Sequence, residues 1–293
     1  MFLNSFIQML PILIIAAAGY FGGKLFKIDN RSLVTLVSDF FMPMLIFHSI
    51  YFSDLSGSLM LDLTGIVTLI IIIQTALAYL YARMAKIDAR GFVPPNIFMN
   101  AGFLGIPLMK LWGGTEAMNI IVVFDQVQTI YIFTLGLLII TGGLSAKSLA
   151  NMLKAPLLWA IFAGFACKML GLNIWEPLLT TFEFAGNAGP PLAAFILGSS
   201  MSLESVRINR HVIAGVCIRM FVGYGLGLLA VLLFGMTGTA RTVVLVASAL
   251  PAAVFSSILP MRYGVQSAYA VPIVVLSTLI SVITIPLTFM LAG

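Results

Sequence analysis

The amino-acid sequence predicts an all-α polytopic membrane protein of ten transmembrane helices, built as two inverted five-helix repeats. Composition carries the class. Of 293 residues, 61% are hydrophobic and 9% charged, and the mean hydropathy is +1.11, values that no water-soluble globule of this length sustains. Ten apolar runs follow one another, each about the 20 residues that a helix needs to cross a hydrocarbon core. The basic residues then cluster in alternate loops, which fixes both the number of crossings and their direction.

Taken in order, segment 1 covers residues 5–26. It has no basic n-region and no convincing cleavage site, and its apolar stretch is long for a signal peptide, so it counts as a span. Segments 2 to 5 follow at residues 33–52, 63–84, 93–112 and 117–140. A more polar stretch, 141–154, separates two halves, 1–140 and 155–293, and is expected to be a cytoplasmic linker. Segments 6 to 10 run over residues 155–172, 177–201, 212–234, 242–261 and 268–291, which leaves no room for a soluble domain.

Lys24, Lys27, Arg31, Arg83, Lys86, Arg90, Lys147, Lys154, Arg207, Arg210 and Arg262 all fall in loops on one side of this threading. Lys110, Lys168 and Arg241 fall on the other. The first side is therefore expected to be cytoplasmic, with both termini extracytoplasmic, in the cell (inner) membrane. The net charge of +5 is accounted for by these short loops, and no nucleic acid is expected as a partner. Cys167 and Cys217 sit in apolar runs without metal-ligand spacing and are read as buried packing residues; no disulfide, metal or cofactor is expected.

Five spans per half force a duplicated half to insert upside down, the plan of many secondary transporters. Pro11 and Gly19 match Pro156 and Gly164 at one spacing; Pro43 matches Pro191, Asp39 falls on Asn187 and Asn100 falls on Ser248 at another. Residues 100–107, NAGFLGIP, break segment 4. Gly102 and Gly105 weaken the helix, and Pro107 removes a donor and clashes with the carbonyl four residues back. The repeat then requires a break in segment 9, where Pro251 and Pro260 stand in ASALPAAVFSSILPMRYG. Backbone freed at bilayer depth is tolerated where it lines a cavity or is re-satisfied by protein, so the two breaks point to a binding site.

With NAGFLGIPLMKLWG in segment 4, SDFFMPMLIFHSI in segment 2, AGNAGPPLAAFILGSSM in segment 7 and SALPAAVFSSI in segment 9, the chain resembles the auxin efflux carrier family in its short form, over essentially its whole length. The resemblance implies crossing segments 4 and 9, a scaffold from segments 1, 2, 6 and 7, and a mobile transport domain from segments 3–5 and 8–10. It also implies small organic anions as substrates: auxin in plants, malate- or malonate-like carboxylates in bacteria.

An anionic substrate also fits the physics, because two broken helices present N-termini whose amides and dipoles attract carboxylate, each by about 0.3–2 kcal/mol. The expected substrate cradle is Asn100, Gly102, Gly105 and Pro107 with Ser248, Pro251 and Ala252. Charges inside spans are functional candidates. Asp39 and Asp125 are each read as a proton carrier or cation partner, with a hydrogen-bonded structural acid as the plain alternative, and Arg219 as the partner of an acid or an attractor of the anion. His48 reads as a satisfied core histidine and Glu183 as snorkelling. The lipid bilayer is a necessary partner, and a homodimer is one expected assembly.

A membrane hydrolase would need a nucleophile with its base, or metal-spaced ligands, and the two distant histidines supply neither. No enzyme activity is expected. A channel suits a full inverted repeat less well than alternating access. A sodium-coupled symporter of the bile acid type shares the crossing plan but looks dependent on acids close to both crossings, and segments 4 and 9 contain none.

Overall fold

The computed structural model describes residues 2–26, 28–52, 57–143, 153–154, 156–203, 207–265 and 268–292. Most of the 141–154 linker, together with Lys27 and Lys147, lies outside the described residues. Apart from one isolated bridge, the described chain is helical throughout. Five helices are individually long and apolar enough to cross a membrane: α2 (Asn30–Tyr51), α3 (Ser58–Ala85), α6 (Glu116–Ile140), α10 (Arg210–Leu233) and α13 (Ala270–Ala292). Between them run α1 (Phe2–Leu25), α4 (Ala89–Ile97), α5 (residues 101–112), α7 (Pro156–Met169), α8 (Glu176–Gly186), α9 (Gly189–Leu203), α11 (Gly238–Ala249) and α12 (Phe255–Arg262). Large apolar side chains such as Leu61, Met84, Leu232 and Leu291 are exposed around the bundle, as expected of a multi-pass membrane protein whose outer face meets lipid.

Segments 4 and 9 are both broken, into α4–α5 and α11–α12; segment 9 parts at Pro251 as expected, while segment 4 parts at Phe98–Asn100, ahead of Gly102, Gly105 and Pro107, which lie within α5. The local cause is plain in segment 9. The residue before a proline is pushed out of the helical region, and Leu250, ahead of Pro251, is extended at ψ 150°. In segment 4 the chain straightens at Phe98 (φ −107°, ψ 129°), and a π-helical turn, Ala101–Gly105, opens α5 just ahead of Pro107, whose missing N–H interrupts the regular bonding there. Pro43 likewise follows a π turn, Val37–Phe41, inside α2.

Segment 7 corrects the sequence reading. It is two helices, α8 and α9, parted at Asn187 and Ala188, because a Gly-Asn-Ala-Gly run interrupts an otherwise apolar stretch. The cysteines also differ from expectation: Cys217 is exposed on α10 and Cys167 is partly exposed on α7.

Two close helix contacts fix one part of the bundle, as small residues do in membranes. A Cβ on Gly198 of α9 would lie 1.7 Å from the Ala16 carbonyl oxygen of α1, and one on Gly19 would lie 2.0 Å from that of Phe195. On the other side, Gly164 of α7 rests against Ile50 and the Phe47 carbonyl of α2. The remaining helices pack around the breaks: α3 lies against α4 and α10, and α11 against α10 and α13, while α12 also touches α2 and α9.

Candidate functional site

The two breaks meet. Met99 and Ala252 form an isolated antiparallel bridge, in which the Asn100 N–H donates to the Pro251 carbonyl and the Ala253 N–H donates to the Phe98 carbonyl, both at 2.9 Å. Each broken strand therefore satisfies the other, which answers the need to pair every freed backbone group away from water. What the bridge leaves over is taken by side chains. Gln128 of α6 accepts from the Met99 N–H (2.8 Å) and donates to the Met99 carbonyl (2.7 Å). Ser277 of α13 accepts from the Ala252 N–H at 3.1 Å.

A cavity of about 230 Å³ opens beside this crossing, between it and α2. The starts of α5 (Asn100, Gly102, Phe103) and of α12 (Ala253, Val254, Phe255) border it, so two half-helix N-termini face one space. Met42, Ile46 and Ser49 of α2 form the opposite wall, and Asp125, Gln126 and Thr129 of α6 the polar side. Among the described lining residues Asp125 carries the one ionisable side chain. Its carboxylate lies against Gly102, where an added Cβ would come within 3.0 Å of Oδ2, so glycine is what leaves room for the acid.

Two buried side chains on this wall have unused capacity. Asn100, 3% exposed, has an unpaired Nδ2; Gln126, 6% exposed, donates to the Ser49 carbonyl (3.1 Å) and hydroxyl (3.2 Å) but leaves Oε1 unpaired. Of the residues expected in the cradle, Asn100 and Gly102 line the cavity. Pro251 and Ala252 contribute backbone to the bridge, and Gly105 is buried against Leu250 and Ile121. The Pro107 side chain lies outside what is described.

Ser248 is turned away. Its hydroxyl donates to the Val244 carbonyl (2.7 Å), and its own carbonyl receives Nη2 of Arg219 at 2.8 Å. Arg219, fully buried, was read as the partner of an acid or an attractor of the anion; its described hydrogen-bond partners are neutral, Ser248 O and Oε1 of Gln74 (2.7 Å). The physical reason is that a helix C-terminus carries partial negative charge, and α11 ends at this carbonyl. Gly223 and Gly227 make room, since a Cβ on either would meet Arg219 or Ser248 within 2.4–2.7 Å.

Asp39 is not at the crossing. It pairs with Arg262 at the end of α12, whose Nε lies 3.1 Å from Oδ2, on the side carrying most of the basic loops. His48 approaches Glu183 at 4.0 Å. Gln74 and Ser277 were not singled out from the sequence. The available signal was a glutamine inside an apolar span, which is costly enough to require a partner.

Apolar helices around a largely apolar cavity with one polar side, floored by two broken helices that satisfy each other, suit a multi-pass membrane transport protein. The chain belongs to the membrane transport protein family, the group of the auxin efflux carriers, whose model matches residues 4–151 and 143–289. It is 26% identical over 298 residues to an "uncharacterized transporter" of Methanothermobacter thermautotrophicus, with 98% of each chain covered. It is also 23% identical over 305 residues to the "uncharacterized transporter YfdV" of Escherichia coli, covering 96% of this chain and 95% of that one.

Proposed function

We propose that this protein is a secondary active transporter of small organic anions, carboxylates such as malate or malonate or auxin-like acids, with the substrate bound at the crossing. The observation that carries the reading is that the N-termini of α5 and α12 both border one cavity beside the Met99–Ala252 bridge. Asn100 hydrogen-bonds the substrate and Gly102 exposes an amide; Gly105, Pro107, Ser248, Pro251 and Ala252 shape the backbone that does so.

The ten-span, inverted-repeat plan is supported by the reciprocity of the contacts. The bridge bonds run both ways, and Gly19 meets α9 as Gly164 meets α2. In this reading, residues 1–140 and 155–293 are the two repeats joined by a cytoplasmic 141–154 linker, and both termini are extracytoplasmic in the cell inner membrane. Segments 1, 2, 6 and 7 form the scaffold, against which the other six segments slide in an elevator-like cycle. The cavity wall on α2 fits that division, because it places substrate between the two parts.

Asp125 is the proton-coupling candidate whose position supports it, since its carboxylate lines the cavity against Gly102 at the start of α5. Protonating it admits a negative charge there without leaving two anions together. Asp39 is the second coupling candidate, and Arg219 holds the end of α11 in register.

The test is uptake into proteoliposomes. Saturable flux with counterflow of a carboxylate is expected, unaffected by replacing sodium, and lowered at least tenfold by Asn100→Ala and Gly105→Leu in protein that inserts normally. Ohmic currents, or wild-type rates in both variants, would overturn the reading. With Asp125→Asn, uptake is expected to lose its response to a pH gradient; an unchanged response rules out that residue as the carrier.

A further inference from the structure

Gln126 stands at the boundary between α6 and α2, and its amide is oriented without ambiguity. The nitrogen donates to the Ser49 backbone carbonyl, an atom that can only accept, so swapping oxygen and nitrogen would set two acceptors against each other. The oxygen, Oε1, is therefore an acceptor on the cavity wall, in a residue 6% exposed, with no described donor. Asp125 beside it is a second acceptor. Asn100, which also lines the cavity and is 3% exposed, supplies the opposite need through an unpaired amide nitrogen.

A plain carboxylate answers half of this wall. Its oxygens accept from Asn100 and from the amides at the starts of α5 and α12, but it offers nothing to Oε1. Once the ligand excludes water, an acceptor without a donor carries the full cost of its desolvation. A ligand that places a hydroxyl or amide N–H beside its acid group pairs both. Sites built this way reject the analogue lacking the donor far more strongly than an apolar pocket rejects a missing methylene.

We infer that Gln126 is a specificity-determining residue of the crossing cavity, selecting acids that carry a hydrogen-bond donor next to the carboxylate over acids that do not. The inference rests on the proposed acid-binding role of the cavity and adds the feature by which one acid is preferred to another. Nε2 holds the amide in place through Ser49 and Oε1 reads the ligand. A purely structural tether between α6 and α2 would weaken every acid alike, so the preference between acids separates the two roles.

The experiment is calorimetric titration of the purified full chain with three probes of one skeleton: lactate, propionate and 2-methoxypropionate. The last keeps the oxygen and loses the donor. Lactate is expected to bind at least about tenfold more tightly than either of the others. In Gln126→Met, similar in length but without the acceptor, that ratio is expected to fall to about one. In Ser49→Ala, which leaves the Ser49 carbonyl in place, the preference is expected to persist. The probe series in the unmodified protein decides the matter even if Gln126→Met fails to fold. Equal binding of lactate and the two donor-free acids, or a preference that survives Gln126→Met, overturns the assignment of Gln126 alone. Absence of binding by all three probes overturns the acid-binding reading and this inference with it.

Discussion

Gln128 satisfies both backbone polar groups of Met99, one through its oxygen at 2.8 Å and one through its nitrogen at 2.7 Å. No smaller or apolar residue does both. Gln128→Leu strands a donor and an acceptor in a buried place, at about 1–3 kcal/mol each. Purified Gln128→Leu is therefore expected to melt well below the wild type, by roughly ten degrees on the scale of a few degrees per kcal/mol. Gln128→Glu, which keeps the acceptor but loses the donor and buries a charge, is expected to be no better. A melting temperature within two or so degrees of wild type for Gln128→Leu would show that the crossing does not depend on this clamp.

Glycines at two positions give an opposed pair of expectations. Gly198→Ala drives a methyl group into the Ala16 carbonyl, so α1 and α9 must separate, at about 1–3 kcal/mol or more. Gly225 lies on α10 with nothing within 4 Å of an added Cβ, and Gly225→Ala should be neutral or stabilising by up to about 1 kcal/mol. Thermal unfolding of both variants in one detergent measures the contrast, and equal melting temperatures would contradict the close contact.

The Asp39–Arg262 pair joins α2 to the end of α12, two elements assigned to different moving parts in the proposed cycle. It is partly exposed, so it contributes about 0.5–1 kcal/mol to the conformer that contains it, a two- to fivefold change in population. Asp39→Asn and Arg262→Gln should each shift the distance distribution between spin labels on the native Cys167 of α7 and Cys217 of α10, and the swapped pair Asp39→Arg with Arg262→Asp should restore it. Distributions identical to wild type in both single variants would mean that the pair biases nothing.

Much of this architecture is legible in the sequence because membrane insertion writes it in coarse letters. Long apolar runs and the interruptions near residue 100 and at Pro251 are local features whose physical consequences are local. Register is not. Asn100 pairs with Pro251 because the partner is chosen by where two extended strands align their amides and carbonyls. Beside Asp125 the labour is divided in a way no local pattern shows: Gln126 and Gln128 are two residues apart, about 200° around a helix, so one reaches Ser49 and the other Met99. Arg219 looked like half of an ion pair since its true counterpart, the end of a helix, has no letter in the sequence.

The mutual bonding of Phe98 with Ala253 and of Asn100 with Pro251 has a consequence for motion. Interrupted helices are usual places for a chain to bend, but bending either one here would strip hydrogen bonds from both at once, in surroundings with no water to replace them. The interruption therefore behaves as a weld. In the proposed cycle the crossing is therefore carried whole, and the slip falls at contacts such as those of α12 and α13 with α1, α2 and α9.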